Sequence, residues 1–423
     1  MDKFLIWGGE KLQGETRTSG CKNAVLPILA ASLLADTPST IKNCPWLKDV
    51  DTMVEILDAM GVRVQRSFEG TLSVDPGTLE SHEAPYDLVR KMRASIYVLG
   101  ALLGRFNKAV VSIPGGCVIG PRPIDLHLKG FTELGATIEQ RCGYIYAEAN
   151  ELVGREIFLG GPCGSSLGAT ANVLMAAVKA KGATVITSAA CEPEIVDLAN
   201  FLNRMGARIS GAGTPIITVE GVSELHGVED YEVIPDRIEA GTFMTAAAVT
   251  RGEVTITGAE PAHLQSVISK LAEAGVKITT HDGDIHVDAT GELGPIEVVT
   301  QPHPGFPTDL QAQFMAVATV ANGMSRVVEK IYPNRFMHVM ELTRLGANIT
   351  MDGNRAVVRG VERLSAAPIM ASDLRASASL VLAGLAAEGE TTVLRVYHID
   401  RGYEDIEEKL GALGAKIKRV KSN

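Results

Sequence analysis

Residues 113–123, IPGGCVIGPRP, set one thiol, Cys117, behind a Gly-Gly pair and five residues ahead of Arg122, between two prolines that exclude regular structure. A packing cysteine usually sits inside a helix or strand as a small hydrophobe, so a thiol on a Gly/Pro loop beside a guanidinium points to chemistry at sulfur. Loop cysteines without a role are common, and the thiol therefore needs partners. TSGCKNAVLPILAASLLA offers Lys22 and Asn23 at the mouth of an apolar helix, where free amides and the positive dipole end attract phosphate or carboxylate; a solvated lysine is the competing reading. An Arg-Ala-Ser step occurs at Arg93 and again at Arg375, each followed by an unusual loop, the second being YHIDRGYED with Arg401. If those loops face one cleft, Cys117, Arg122 and Arg401 converge on an anion, since guanidinium matches carboxylate and phosphate oxygens.

Two further sites carry competing structural readings. In HPGFPTDLQAQF, Asp309 falls inside a T-x-x-Q capping box formed by Thr308 and Gln311, which places the aspartate in a helix's first turn and weakens it as a base. GSSLG, residues 164–168, fits the G-x-S-x-G pattern of a serine nucleophile at Ser166, but GGPCG separates it from the preceding strand-like REIFL, too long for the tight elbow of a hydrolase. The DGDIHVD run near residue 285 lacks the glycine and closing glutamate of a calcium loop, and no phosphate-binding P-loop is present.

These residues must be positioned by a large scaffold. At 423 residues the chain exceeds the size at which single cores stop growing, so two domains are expected. A hydrophobic fraction of 46% against 21% charged residues excludes a disordered chain, and a net charge of −10 argues against a nucleic-acid coat or a membrane-surface protein. Any anion site must then be built from a few placed Arg and Lys. The opening MDKFLIWGGEKLQGE has too short an apolar run for a signal peptide, and no apolar stretch reaches the roughly 20 residues of a membrane helix, so a cytoplasmic protein without membrane insertion is expected. The six cysteines form no C-x-x-C pair, so free thiols are expected rather than a zinc site or a disulfide framework.

One phrase recurs six times: EILDAMGVRVQ, FTELGATIEQ, FLNRMGARIS, KLAEAGVKIT, ELTRLGANIT and KLGALGAKIK. Its glycines are Gly61, Gly135, Gly206, Gly275, Gly346 and Gly414, at successive differences of 74, 71, 69, 71 and 68 residues. Each copy predicts an amphipathic helix closed by a left-handed glycine and followed by a short strand. Upstream of the copies lie longer apolar helices and β-branched strands, so each repeat reads helix, strand, helix, strand. One repeat cannot bury its own apolar faces, and six divide into two groups of three. The boundary is expected near GVEDYEVIPDRIEAG, giving one domain over residues 22–231 and another over 1–21 plus 232–423, although the first twenty residues could pair with either half.

Taken in order, SGCKNAVLPILAA, PYDLVRKMRASI, PGGCVIGPRPIDLH, EPEIVDLANFL, PDRIEAGTF, FPTDLQAQF, NRFMHVMEL and ASDLRASASLVLAG with YHIDRGYE resemble the enolpyruvyl transferase family over the entire chain. Within it they look like the branch acting on UDP-N-acetylglucosamine; the shikimate 3-phosphate branch shares the architecture but lacks the cysteine loop. The resemblance implies an α/β fold of two inside-out α/β barrel (prism) domains, each of three repeats with helices central and sheets outside. It implies transfer of the enolpyruvyl group of phosphoenolpyruvate to the 3'-hydroxyl of UDP-N-acetylglucosamine by addition and elimination of phosphate, the first committed step of bacterial peptidoglycan synthesis. No metal or organic cofactor is implied.

By resemblance, Lys22, Arg122 and Arg401, with Asn23 beside Lys22, form the cationic cradle for phosphoenolpyruvate, whose charge needs fixed donors. Cys117 matches the residue that protonates the vinyl carbon, assists product release and is alkylated by the epoxide fosfomycin, on a loop that moves as a lid. Asp309 matches the residue that deprotonates the sugar hydroxyl. Arg93, the segment Arg122, Pro123, Ile124, Asp125 and Leu126, then Ser165, Ser166, Leu167 and Ile331, match contacts to the UDP-sugar. Two departures stand out: Cys21 where the family often has alanine, and Gly164 where some relatives carry a lysine near the nucleotide.

Overall fold

A computed structural model describes residues 2–79, 81–113 and 124–421. The chain divides into two compact units, one built from residues 20–113 and 124–234, the other from residues 2–19 and 235–421.

The six repeat glycines all adopt positive φ, between 90° and 108°, as a left-handed helix terminus requires. Before them end the helices Lys48–Ala59, Asp125–Glu133, Pro193–Arg204, Gln265–Glu273, His338–Arg344 and Ile406–Ala412. The strands that follow are short and half-exposed, from Arg63–Arg66 to Lys416–Lys421. Here the structure adds to the expected helix, strand, helix, strand order. Each post-glycine strand pairs antiparallel with a further return strand, and each longer strand gains a short parallel neighbour, giving six four-stranded sheets among the described residues.

Six other helices are largely apolar and buried on nearly every face. In the first unit they are Lys22–Ala31, Tyr97–Phe106 and Leu167–Ala177; in the second, Arg237–Val249, Gln311–Thr319 and Leu374–Ala386. Such helices can lie only inside a core. The three of the second unit contact one another mutually, and in the first unit Tyr97–Phe106 touches both of its fellows. Gly100 permits the close pass there, because a Cβ on it would lie 2.3 Å from the Asn172 carbonyl oxygen.

The chain's first residues belong to the second unit. Strand Asp2–Trp7 runs antiparallel to both Glu390–Leu394 and Lys416–Lys421, serving as the return strand of the last sheet, and Gln13–Arg17 pairs parallel with Glu253–Thr257. In the first unit the parallel neighbour of Ser39–Lys42 is Tyr231–Glu232, the last strand before the boundary.

Candidate active site

In the second unit the starts of the three central helices meet. Asp236 caps Arg237–Val249 by accepting from the Ile238 and Glu239 amides, and Asp373 caps Leu374–Ala386 by accepting from the Arg375 and Ala376 amides at 3.0 and 3.1 Å. Arg375, 2% exposed, reaches from there to Asp309, Nε to Oδ2 at 3.3 Å. Its guanidinium lies over the Tyr403 ring at 5.2 Å, and the Tyr403 hydroxyl meets Thr242 Oγ1 at 2.9 Å and accepts from Gln313 at 3.1 Å. Burial opposes the Arg375 charge, and Tyr403, Asp309 and Asp236 more than offset it. A second buried guanidinium, Arg335, donates from Nη1 to Asp309 Oδ1 at 2.7 Å.

The expected capping box at Thr308 does not form. Residues Thr308–Leu310 make a single 3-10 turn, Leu310 stands before the α-helix, and Gln311 turns its amide to the Met315 sulfur at 3.2 Å. Thr308 instead donates to the buried Glu329 carboxylate at 2.9 Å and accepts from Arg335 at 3.0 Å. Two guanidiniums, rather than a helix terminus, hold Asp309, because buried cations attract a carboxylate more strongly than local amides do. The Ile331 amide donates to the same Glu329 at 2.8 Å, so Asp309 and Ile331 share one network. Arg401 ends the 3-10 stretch Val396–Arg401 and is half-buried. It acts on His398, which burial first and the Arg401 charge second push below the ordinary imidazole value, while Asp373 pulls it up.

In the first unit Lys22 is not a solvated lysine. It is 8% exposed and pairs with Asp49, itself 3% exposed, at 2.8 Å. Asn23 is half-buried beside it, and the Cys21 thiol, buried, points to Glu194 at 3.9 Å. The segment Ile124, Asp125, Leu126 opens the helix Asp125–Glu133, with Asp125 exposed. Leu126 lies against the tight Gly161–Gly164 bridge, where a Cβ on Gly161 would sit 3.1 Å from its Cδ1. Ser165, Ser166 and Leu167 follow that bridge, half-buried. Ser166 caps Leu167–Ala177 by accepting from the Ala169 amide at 3.3 Å, at φ −117°, so it is a helix cap and not the strained nucleophile of a hydrolase elbow.

His127 joins these pieces. Asn172 Oδ1 accepts from the Gly100 amide at 2.8 Å, which directs its Nδ2 to His127 Nδ1 at 3.0 Å and leaves the imidazole proton on Nε2. Gly168 lets the ring pack closely, since a Cβ there would stand 3.2 Å from Nε2. Burial, and then the Arg93 charge, hold His127 down at about 3. It therefore stays neutral while an unfolded histidine charges below about 6.5, so its contribution is complete above that pH and is lost as pH falls toward 3. His338, lowered to about 4 by burial, has the same sign; Asp197, raised to about 6 by burial, has the opposite one. His127→Gln is expected to flatten the loss of unfolding free energy between pH 6.5 and 4, by up to about 1.4 kcal/mol per pH unit, in denaturant titrations beside the parent protein. Parallel profiles would show that His127 is not buried neutral.

Cys117, Arg122 and Pro123 lie outside the described residues. The structure gathers Asp309 with Ile331 in one unit, and Leu126 with the loop before Ser165, Ser166 and Leu167 in the other. Lys22 stands beside Asp49, and Arg401 near His398. Asp49, His127, Asn172, Glu329, Arg335 and Arg375 were not expected as site residues, although His127, Arg335 and Arg375 lay inside quoted motifs. The five cysteines among the described residues form no disulfide, and no helix among these residues is long and apolar enough to cross a membrane.

Residues 6–410 match the profile of the family described as EPSP synthase (3-phosphoshikimate 1-carboxyvinyltransferase). The chain is 53% identical over 421 residues to the UDP-N-acetylglucosamine 1-carboxyvinyltransferase of Desulfatibacillum aliphaticivorans and 54% identical over 422 residues to that of Methylacidiphilum infernorum (isolate V4), covering 100% of both chains in each pair. Among solved structures it is similar to the enolpyruvyl transferase NikO from Streptomyces tendae, with a TM-score of 0.90 and 28% identity over 100% of this chain and 99% of that one. The EPSP synthase of Acinetobacter baumannii follows at a TM-score of 0.76 and 19% identity, covering 100% of both, a likeness of fold alone.

Proposed function

The chain belongs to the enolpyruvyl transferase family that includes EPSP synthase, and from that premise we propose that it transfers the enolpyruvyl group of phosphoenolpyruvate to the 3'-hydroxyl of UDP-N-acetylglucosamine in bacterial peptidoglycan synthesis. The observation that carries the substrate assignment is identity above half, end to end, with proteins named for that sugar nucleotide. A cytoplasmic location accords with it.

In this reading Asp309 takes the proton of the sugar hydroxyl as its oxygen bonds to C2 of phosphoenolpyruvate, while Cys117 supplies a proton to C3. The tetrahedral adduct then returns a C3 proton to the Cys117 thiolate as the C2–O bond to phosphate breaks, and the departing phosphate takes the proton held by Asp309, so that enolpyruvyl product and phosphate leave with both groups restored. Lys22, Asn23, Arg122 and Arg401 hold the phosphate and carboxylate, where fixed cations act on developing charge without reorganising. Arg93, residues Pro123 to Leu126, Ser165 to Leu167 and Ile331 hold the UDP-sugar; the packing of Leu126 on the Gly161–Gly164 bridge supports that grouping. We read each unit as an inside-out α/β barrel, supported by its three all-buried helices and three amphipathic ones.

Mixing the protein with phosphoenolpyruvate and UDP-N-acetylglucosamine is expected to release phosphate. Release with shikimate 3-phosphate and none with the sugar nucleotide would overturn the substrate; a tight phosphoenolpyruvate complex without release from either would make the protein an anion binder.

A further inference from the structure

Glu329 follows the strand Met324–Val328 and is 0% exposed. Its Oε1 accepts from Thr300 Oγ1 at 2.7 Å, from the Ile331 amide at 2.8 Å and from the Tyr332 amide at 2.9 Å. Its Oε2 accepts from Thr308 Oγ1 at 2.9 Å. A buried carboxylate is costly unless its lone pairs are satisfied, and four donors do so here. Arg335 Nη1 donates both to Thr308 Oγ1 at 3.0 Å and to Asp309 Oδ1 at 2.7 Å. The Thr308 proton must therefore point at Glu329, leaving its lone pair for Arg335.

One carboxylate thus fixes two things at once: the backbone at Ile331 through one oxygen, and the Thr308–Arg335–Asp309 chain through the other. We propose that Glu329 is a positioning residue for the transferase reaction, holding the base Asp309 in register with the backbone at Ile331 that contacts the sugar. The inference rests on the roles of Asp309 and Ile331 proposed above. A glutamate is needed because both ends must accept. In a glutamine the amide nitrogen faces Thr308, the end with one donor rather than three, and turns the threonine proton away.

Glu329→Gln keeps the shape and is expected to lower kcat about tenfold, the equivalent of one lost hydrogen bond in the transition state, with KM for UDP-N-acetylglucosamine within about twofold. Thr308→Val is expected to do the same, the double variant to be no slower than Thr308→Val alone, and Thr308→Ser to keep the parental rate, because linked residues are not additive. Parental kcat in Glu329→Gln, additive losses in the double variant, or failure of the serine overturns the inference. Should Glu329→Gln not fold, the contrast between valine and serine at 308 decides it alone. A crystal structure of Glu329→Gln reads the same point without turnover. A changed spacing between the Asp309 carboxylate and the Ile331 amide supports the inference, and an unchanged one overturns it even if the parent protein proves inactive on UDP-N-acetylglucosamine.

Discussion

Asp309→Asn is expected to lower kcat for phosphate release by about 10²–10⁴-fold, the range of a lost general base, while KM for UDP-N-acetylglucosamine changes far less. The asparagine preserves volume but removes the charge and the second acceptor. Arg335 Nη1 still finds the amide oxygen, whereas the amide nitrogen meets Arg375 Nε, donor against donor. Two nearly buried guanidiniums then lose their shared anion, so the melting temperature is also expected to fall. The two effects separate experimentally. Steady-state rates at a temperature where circular dichroism shows the variant fully folded isolate the chemistry. A folded Asp309→Asn protein turning over within threefold of the parent rules the aspartate out as the base; about threefold is less than one transition-state hydrogen bond supplies.

Asp49→Leu is expected to produce a large loss of stability, about 3–5 kcal/mol, because it removes the carboxylate that pairs with the nearly buried Lys22 ammonium at 2.8 Å. For a unit of this size that corresponds to a drop of roughly 10 °C in the melting transition. The double variant Lys22→Met, Asp49→Leu replaces the whole pair with apolar side chains, and its stability is expected to return to within about 1–2 kcal/mol of the parent. Its activity is not expected to return, since the ammonium assigned to phosphoenolpyruvate is gone. If Asp49→Leu melts with the parent protein, the Lys22–Asp49 contact is not the buried pair described. If the double variant recovers activity, Lys22 is not part of the anion cradle.

How far the chain could be read without coordinates follows from the range of the forces involved. The repeat glycines were legible because a left-handed helix terminus is a local demand, and glycine meets it alone at Gly61 as at Gly414. The all-buried helices were legible for the same reason, as apolar runs such as SLVLAG. The return strands were not: Leu72–Asp75 and its counterparts are four to six residues long, and their pairing depends on a neighbour across a turn or, for Asp2–Trp7, on one at the far end of the sequence. Within the site, Asp309 stood out by resemblance while its local sequence suggested a cap. Its actual partners, Arg335 and Arg375, lie 26 and 66 residues away, and nothing in a lone arginine's neighbourhood says it will be buried against a distant carboxylate. Asp49 and Glu329 were missed on the same ground, since charged residues are read by default as solvated.

The strand Asp2–Trp7 is made long before its partners. Its partners Glu390–Leu394 and Lys416–Lys421 are synthesised only after every described strand and helix of the unit spanning residues 20–234 is available. The earlier unit can mature while the nascent chain is still growing, and Gln13–Arg17 can meet Glu253–Thr257 soon after, whereas Asp2–Trp7 must wait, unpaired, for residues 390–421. Completion of the other unit's last sheet is in this sense a late event, joining segments from opposite ends of that unit's sequence.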